Sequence, residues 1–457
     1  MTNSRLLVFL LIVIVVLNGC HSRTHSPKLT EQEVATKWAD LTLFVTRHTP
    51  GNSPTYASRA IGYIGVTMYE SVVAGTDQSR SLAQQLNGLG EMPTPESNKE
   101  YHWALSLNAG QGEILRKLYN HTSDENKAKI DSLERMIRQS YADHLDAEIV
   151  ARSTAYGKKV AEKIFEWSVS DGGHRGYLKN FDKDLVVPHK KGCWKPPLYG
   201  QSFSRYPLHP HWGDNRTFLK ENASLPLPDF LPYSTSRQSA YYKQFLSVYQ
   251  KEKELTQQEK ETALWWGDDP ADTFTPPGHS YNLGTITIKK LNPPLIKCAE
   301  TYARIGIAVA DSFINCWRLK YIFYSERPST FITENIDEAW EQFWPDPPFP
   351  AFPSGHATQA ASTAIVLAAL YGENIEIMDD SHTGRTPDEL RNTEFSSRSF
   401  TSFWQIAEET ANSRFYGGIH TPQDNAVGLS QGKKIGDNVN ALNWTHEHGN
   451  NFTAGNE

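Results

Sequence analysis

Three short segments hold the residues of this chain whose types and spacing could do chemistry. In Lys320-Tyr-Ile-Phe-Tyr-Ser-Glu-Arg327-Pro328 the two cations stand seven positions apart, two helical turns, so one helix would point both the same way and Pro328 would end it. Trp317 falls one turn before Lys320. In Pro350-Ala-Phe-Pro353-Ser354-Gly355-His356, Ser354 is placed to cap a helix whose free N–H groups and positive dipole end face an anion. Gly355 permits close backbone approach, and His356 stands where it could exchange protons. In Ser413-Arg414-Phe-Tyr-Gly417-Gly418-Ile-His420-Thr421-Pro422-Gln-Asp424, Asp424 is placed either to cap the following helix or to accept a hydrogen bond from one ring nitrogen of His420, leaving the other free. Each segment also has a plain structural account: solvated basic residues, a helix entry, and ordinary first-turn chemistry. Together they supply three cations, a hydroxyl at a helix start and two histidines. That is the inventory for a tetrahedral, multiply charged oxyanion.

In order and spacing, Lys-x6-Arg-Pro, Pro-Ser-Gly-His and Ser-Arg-x5-His-x3-Asp resemble the vanadium-dependent haloperoxidase and type 2 phosphatidic acid phosphatase superfamily. The blocks span 320–424. The helix Ala310-Asp311…Cys316-Trp317 also resembles bacterial haloperoxidases, and a looser likeness reaches back through Thr275-Pro-Pro-Gly-His279. The resemblance implies an all-α fold of helical bundles, vanadate as cofactor, and hydrogen peroxide and a halide as substrates, with the organic acceptor open. It implies that Lys320, Arg327, Ser354, Gly355 and Arg414 hold the oxygens of vanadate or phosphate. His420 would bond vanadium or serve as a phosphatase nucleophile, oriented by Asp424, with His356 as general acid–base. Trp317 and Phe349 would line the halide side. Phe349 stands where bromide-preferring algal members carry histidine, so the chain looks closer there to marine bacterial iodoperoxidases and the fungal chloroperoxidase; the apolar wall of Phe349 and Trp317 puts iodide first and bromide after it. The alternatives are an exported acid phosphatase working through a phosphohistidine, and a surface lipoprotein that only holds phosphate.

These residues must be positioned by helices. Thr30-Glu31-Gln32-Glu33 reads as a capping box, followed by Trp38, Leu41, Phe44 and Val45 at helical spacing. A second helix carries Ile61, Ile64, Met68 and Val72, with Gly75 as its stop. Further helical patterns cover residues 100–170, 241–266, 294–324, 354–371, 400–415 and 422–442. Residues 172–237 change to a Pro-, Gly- and aromatic-rich texture (Trp194, Tyr199, Phe203, Trp212), expected to lie over the helices, since those rings would not stay in water. Residues 372–399 read as a polar surface insertion. The expected organisation is a single all-α domain over 30–445: N-terminal helices 30–180, the excursion 172–237, and an active-site bundle 240–442.

Hydrophobic residues at 39% and aromatics at 11% of 457 residues suffice for a core and exclude a disordered chain. A net charge of −7, from 45 basic and 52 acidic residues, argues against broad nucleic-acid binding. One apolar run, Leu6 to Leu17 behind Arg5, is short for a membrane span and reads as a signal-peptide core. It ends in Leu17-Asn18-Gly19-Cys20, which resembles a bacterial lipobox. The expectation is a signal over 1–20 and a lipidated Cys20 on a tether 21–29, anchoring an exported lipoprotein that faces the periplasm or cell surface. Cys193, Cys298 and Cys316 read as buried free thiols. Three motifs are discounted: Gly428-Leu-Ser430-Gln-Gly432 lacks the strand of a hydrolase elbow, and His209-Pro-His211 and His446-Glu-His448 read as surface histidines.

Overall fold

The computed structural model describes residues 28–196, 204 and 206–446. Cys20 and the signal segment, Tyr199, Phe203 and His448 lie outside them. Fourteen helices are described, with one two-stranded sheet. The N-terminal helices are α1 (Glu31–His48), α2 (Pro54–Glu70), α3 (Trp103–Leu118), α4 (Asp124–Ala142) and α5 (Ala147–Val169). A one-turn α6 (Lys220–Ala223) precedes α7 (Ala240–Lys253), α8 (Gln257–Trp265), α9 (Thr275–Leu291) and α10 (Leu295–Phe323). The remainder are α11 (Pro328–Asn335), α12 (Gly355–Tyr371), β1 (Asn374–Asp379), β2 (Arg398–Ser402), α13 (Phe403–Tyr416) and α14 (Pro422–Asn440).

Local chemistry sets these boundaries. Thr30 and Glu33 close the expected capping box on α1. The pattern read as one helix over 241–266 is cut in two, because Thr256 and Glu259 form a second capping box that starts α8. The second helix stops at Glu70 with Ser71 as its cap, not at Gly75, which ends a separate short turn of 3-10 helix. The insertion read as irregular contains the antiparallel pair β1–β2, with Ile377 opposite Phe400 and both buried. The strands are only six and five residues long and sit in a polar stretch that masks their alternation.

Close backbone approach at glycines fixes the two helix crossings that matter most. A Cβ on Gly65 of α2 would lie 2.3 Å from the Tyr302 carbonyl oxygen of α10, and one on Gly306 would lie 2.7 Å from that of Ile61. On α14, Gly428, Gly432 and Gly436 recur every four residues. A Cβ on Gly432 would fall 2.1 Å from the Thr358 carbonyl oxygen of α12. The GxSxG-like motif is therefore a helix-packing stripe that seats α14 on α12. One buried apolar cluster runs from Val34 to Trp444, and a smaller one joins Tyr241, Phe245 and Val248 of α7 to Phe331 and Ile332 of α11.

The irregular excursion is tied down by a buried carboxylate. Asp311 of α10 accepts hydrogen bonds from Phe218 N (2.7 Å), Leu219 N (3.1 Å) and Asn222 Nδ2 (2.8 Å). Trp194 and Trp212 are buried. Cys193, Cys298 and Cys316 are buried free thiols. His209 departs from expectation: it is buried, its Nδ1 meets the Thr55 hydroxyl and its Nε2 lies 3.0 Å from the Gly176 carbonyl. His211, two residues on, stays in solvent. No helix among the described residues is long and apolar enough to cross a membrane.

Candidate active site

The three segments meet where α10, α12 and α14 converge. Lys320 and Arg327 do not share a helix. Tyr324 takes a left-handed conformation (φ 50°) and ends α10 at Phe323, and Arg327 is the extended N-cap of α11 with Pro328 as its first residue. Pro328 thus opens a helix, as its preset φ and missing N–H favour, and holds the residue before it extended. The two cations still converge because both grip one turn. Lys320 Nζ donates to the carbonyls of Pro350 (2.9 Å), Ala351 (2.8 Å) and Pro353 (2.7 Å). Arg327 donates through Nε and Nη2 to Phe349 O (3.2 and 2.9 Å), and through Nη1 to Ile419 O (2.8 Å). All three Lys320 protons are therefore engaged by carbonyls, so it serves the site by its charge and by shaping the 350–353 turn. Burial pushes its amine down to about 7.

That turn delivers Ser354 to the start of α12, where its hydroxyl accepts from Ala357 N (3.4 Å). Gly355 and His356 occupy the first turn, whose N–H groups have no intrahelical acceptor. Ser354 N donates to the Asp424 carbonyl (3.0 Å), which ties this helix start to that of α14.

Both accounts of Asp424 hold together. It completes a capping box with Thr421, and its Oδ2 also takes the proton of His420 Nδ1 at 3.1 Å. His420 Nε2 is left as an acceptor, met by Arg327 Nη1 at 3.2 Å. Burial, together with the charges of Arg327 and Lys320, holds His420 well below the usual imidazole range, so the ring is neutral with a lone pair on Nε2. Burial raises Asp424 to about 6.

A cleft of about 280 Å3 reaches this cluster, lined at its inner end by His356 and Arg414 and further out by Phe349, Trp344, Phe181 and several prolines. Trp317 does not line it. It stacks behind Phe349 (centroids 4.9 Å apart) and donates Nε1–H to Leu208 O at 3.1 Å. His356 is half-buried, and its Nε2 is a buried nitrogen with no hydrogen-bond partner. The ring lies beside the Gly267 backbone, on the lining of the same cleft. Burial and the Arg414 charge push His356 down to about 3, so it is neutral in the free protein. Arg414 donates to Ser413 Oγ (3.0 Å) and Ala263 O (2.8 Å). Burial lowers its guanidinium to about 10, although Asp269 and Asp268 act to raise it.

Sequence reading did not assign the wall opposite, residues 267–270. Asp268 accepts from His279 Nδ1 (2.7 Å), His382 Nε2 (2.8 Å) and Thr273 Oγ1 (2.9 Å). His279 Nε2 donates on to Asp379 Oδ2 at 2.8 Å. Burial opposes charging His279, but Asp268 and Asp379 outweigh it and raise the ring to about 10. A folded-state value above the ordinary 6.5 contributes stability that is fully present below pH about 6.5 and lost as pH climbs towards about 10. Asp379→Asn removes one partner of this buried pair and is expected to cost about 3–5 kcal/mol. In urea unfolding the gap to wild type should narrow between those two pH values; a gap independent of pH refutes a protonated His279.

The family described as the VCPO second helical-bundle domain matches residues 300–448. The crystal structure described as the first bacterial vanadium-dependent iodoperoxidase is 30% identical, covers 91% of this chain and 97% of its own, and superposes with a TM-score of 0.78. The chain belongs to the vanadium-dependent haloperoxidase family. It is accordingly an enzyme of mostly helical fold. Apo and holo structures of a bacterial vanadium-dependent chloroperoxidase share that fold at 14% identity and a TM-score of 0.62, covering 86% and 85% of this chain and 93% and 92% of theirs. No curated protein sequence matches.

Proposed function

We propose that the chain is a vanadate-dependent iodoperoxidase, oxidising iodide with hydrogen peroxide, bromide less readily and chloride least. One observation carries the reading: His356 Nε2 is buried without a partner at the inner end of a cleft, beside Arg414 and an open helix start. Capture of an anion alone does not need a proton-transfer group there.

The residues present fit vanadate. The His420 lone pair suits a bond to the central atom, since Asp424 fixes the proton on Nδ1. The N–H groups of Gly355 and His356, the Ser354 hydroxyl and the Arg414 guanidinium would hold the oxygens, and Lys320 and Arg327 balance their charge. When bound, vanadate supplies a Lewis-acidic V(V) centre that activates peroxide. The chain's own part is to hold neutral His356 with Nε2 ready to take a proton from incoming peroxide and return it later. Phe349, with Trp317 behind it, adds an apolar wall without a proton donor, which suits a large polarisable halide.

The test is reconstitution of the purified chain with orthovanadate, followed by peroxide-dependent oxidation of each halide and hydrolysis of a generic phosphate ester. Iodide turnover should exceed bromide, and bromide chloride, with ester hydrolysis minor. Chloride turnover equal to iodide overturns the ranking, and hydrolysis without halide oxidation overturns the function.

The lipid anchor at Cys20 is also a proposal, supported by the Leu-Asn-Gly-Cys ending. Fatty-acid labelling should mark the wild-type protein and not Cys20→Ala, which should leave the membrane fraction. An unlabelled wild type disproves it.

A further inference from the structure

A buried charged cluster outside the oxyanion residues braces the 267–270 wall. Asp268, His279 and His382 offer ligand atoms within 4.8 Å of one another, all buried. Two histidines and a carboxylate suit a divalent metal, but the proton count opposes one. His279 spends both ring nitrogens on carboxylates, 2.7 Å from Asp268 and 2.8 Å from Asp379, so it could ligate a metal only by breaking one of those bonds. The cluster is complete as a hydrogen-bond network. Asp379 is filled likewise, by Trp265 Nε1 (3.1 Å) and Ser381 N (3.0 Å).

What the network holds is a loop that would not hold its own shape. Asp268 (φ 52°), Ala271 (φ 67°) and Thr275 (φ 70°) all lie in the left-handed region, unfavourable for residues with a Cβ. The loop joins α8 to α9 and supplies Gly267, Asp268, Asp269 and Pro270 to the cleft wall. Gly267, Asp268 and Asp269 line the same cleft as His356 and Arg414, with Gly267 beside the ring and the two carboxylates near the guanidinium. Asp268 is reached from two separate elements, with His279 on α9 and His382 on the insertion after β1.

We propose that Asp268, held by His279 and by His382 of the β1–β2 insertion, is a positioning residue that fixes the Gly267–Pro270 wall and so the placement of the His356 ring beside it. The inference rests on the haloperoxidase reading for the use made of His356, not for the network itself. The insertion thereby acquires a role, since His382 braces the proton-transfer residue from behind. His382 is the position to test, because it contributes one donor whereas the carboxylates carry the buried charge. Leucine removes that donor, and glutamine places an amide N–H near the place of Nε2.

The experiment compares wild type, His382→Leu, His382→Gln and Thr273→Val as full chains with three readouts. Ring-nitrogen NMR of His356 in the vanadate-free protein should give the same spectrum in wild type and His382→Gln, and an altered one in His382→Leu. Vanadate affinity by calorimetry should stay within roughly 3-fold in all four, while iodide turnover at saturating vanadate falls roughly 10–100-fold in His382→Leu and recovers in His382→Gln. Thr273→Val, which removes another donor to Asp268, should fall in the same direction by less, and decides the matter should His382→Leu not fold. Wild-type His356 spectra and turnover in both His382→Leu and Thr273→Val overturn the proposal. So does a proportional loss of affinity and turnover that glutamine does not restore, which marks a merely architectural residue. A wild type without vanadate-dependent oxidation removes the functional reading, and the His356 spectra then decide the network alone.

Discussion

His420→Ala is expected to abolish vanadate binding and, with it, all halide oxidation. In the free protein the ring is already prepared as a ligand. Asp424 holds the proton on Nδ1, and burial with two nearby cations keeps the imidazole neutral. The only group meeting Nε2 among the described residues is Arg327 Nη1 at 3.2 Å, a donor that can turn to an oxyanion oxygen instead. Alanine removes the one side chain offering a lone pair to the central atom and leaves Arg327 its carbonyl partners. Groups that merely orient a metal ligand cost 10–100-fold when lost, so loss of the ligand itself should exceed roughly 100-fold in affinity. Calorimetric titration with orthovanadate measures it. Affinity within a few-fold of wild type would show that oxygen contacts alone hold the anion, and the assignment of His420 would be wrong.

The site's inventory was legible because it is local. Ser354-Gly355-His356 and His420-Thr421-Pro422-Gln-Asp424 are helix starts, and a helix start declares itself in a few adjacent residues. What failed is instructive about range. Lys320 and Arg327 at seven-residue spacing looked like one helix face, but Tyr324 turns left-handed and Pro328 opens a new helix. The two cations meet because both bind carbonyls of the 349–353 turn, a tertiary cause with no sequence period. Trp317, one turn before Lys320, packs against Phe349 and would lie 3.6 Å from a Cβ on Gly355, both contacts set by tertiary packing. The Asp268 network joins residues up to 114 positions apart. His279 stood in a noticed Thr-Pro-Pro-Gly-His run, but nothing in the sequence pairs it with Asp268 and Asp379. That run also hid α9, since Pro-Pro-Gly reads as a turn, whereas prolines early in a helix cost no hydrogen bond. His209, likewise, is buried only because the excursion folds back on Thr55 and Gly176.

His356→Ala should separate binding from turnover. His356 contributes no bond to the central atom in the arrangement described, and the groups that would hold the anion survive its removal: the His420 lone pair, the Arg414 guanidinium, the α12 start and the charges of Lys320 and Arg327. Vanadate affinity should therefore stay close to wild type. Turnover is another matter. In the free protein Nε2 is buried and unpartnered, a cost normally avoided, and this nitrogen stays available. A neutral ring pushed down to about 3 cannot begin as an acid; it must first take a proton, and an incoming anion that offsets the Arg414 charge raises its basicity. Loss of that proton exchange should lower iodide turnover at saturating vanadate by roughly 10²–10⁴-fold. The pH profile supplies a second check: the variant should lose the limb that reports protonation of His356 in the loaded enzyme. Arg327→Ala should fall between the two histidine variants, weakening affinity through one lost charged fork while leaving proton transfer in place. Abolished binding in His356→Ala with intact binding in His420→Ala would reverse the two roles, and wild-type behaviour in both would move the active site elsewhere.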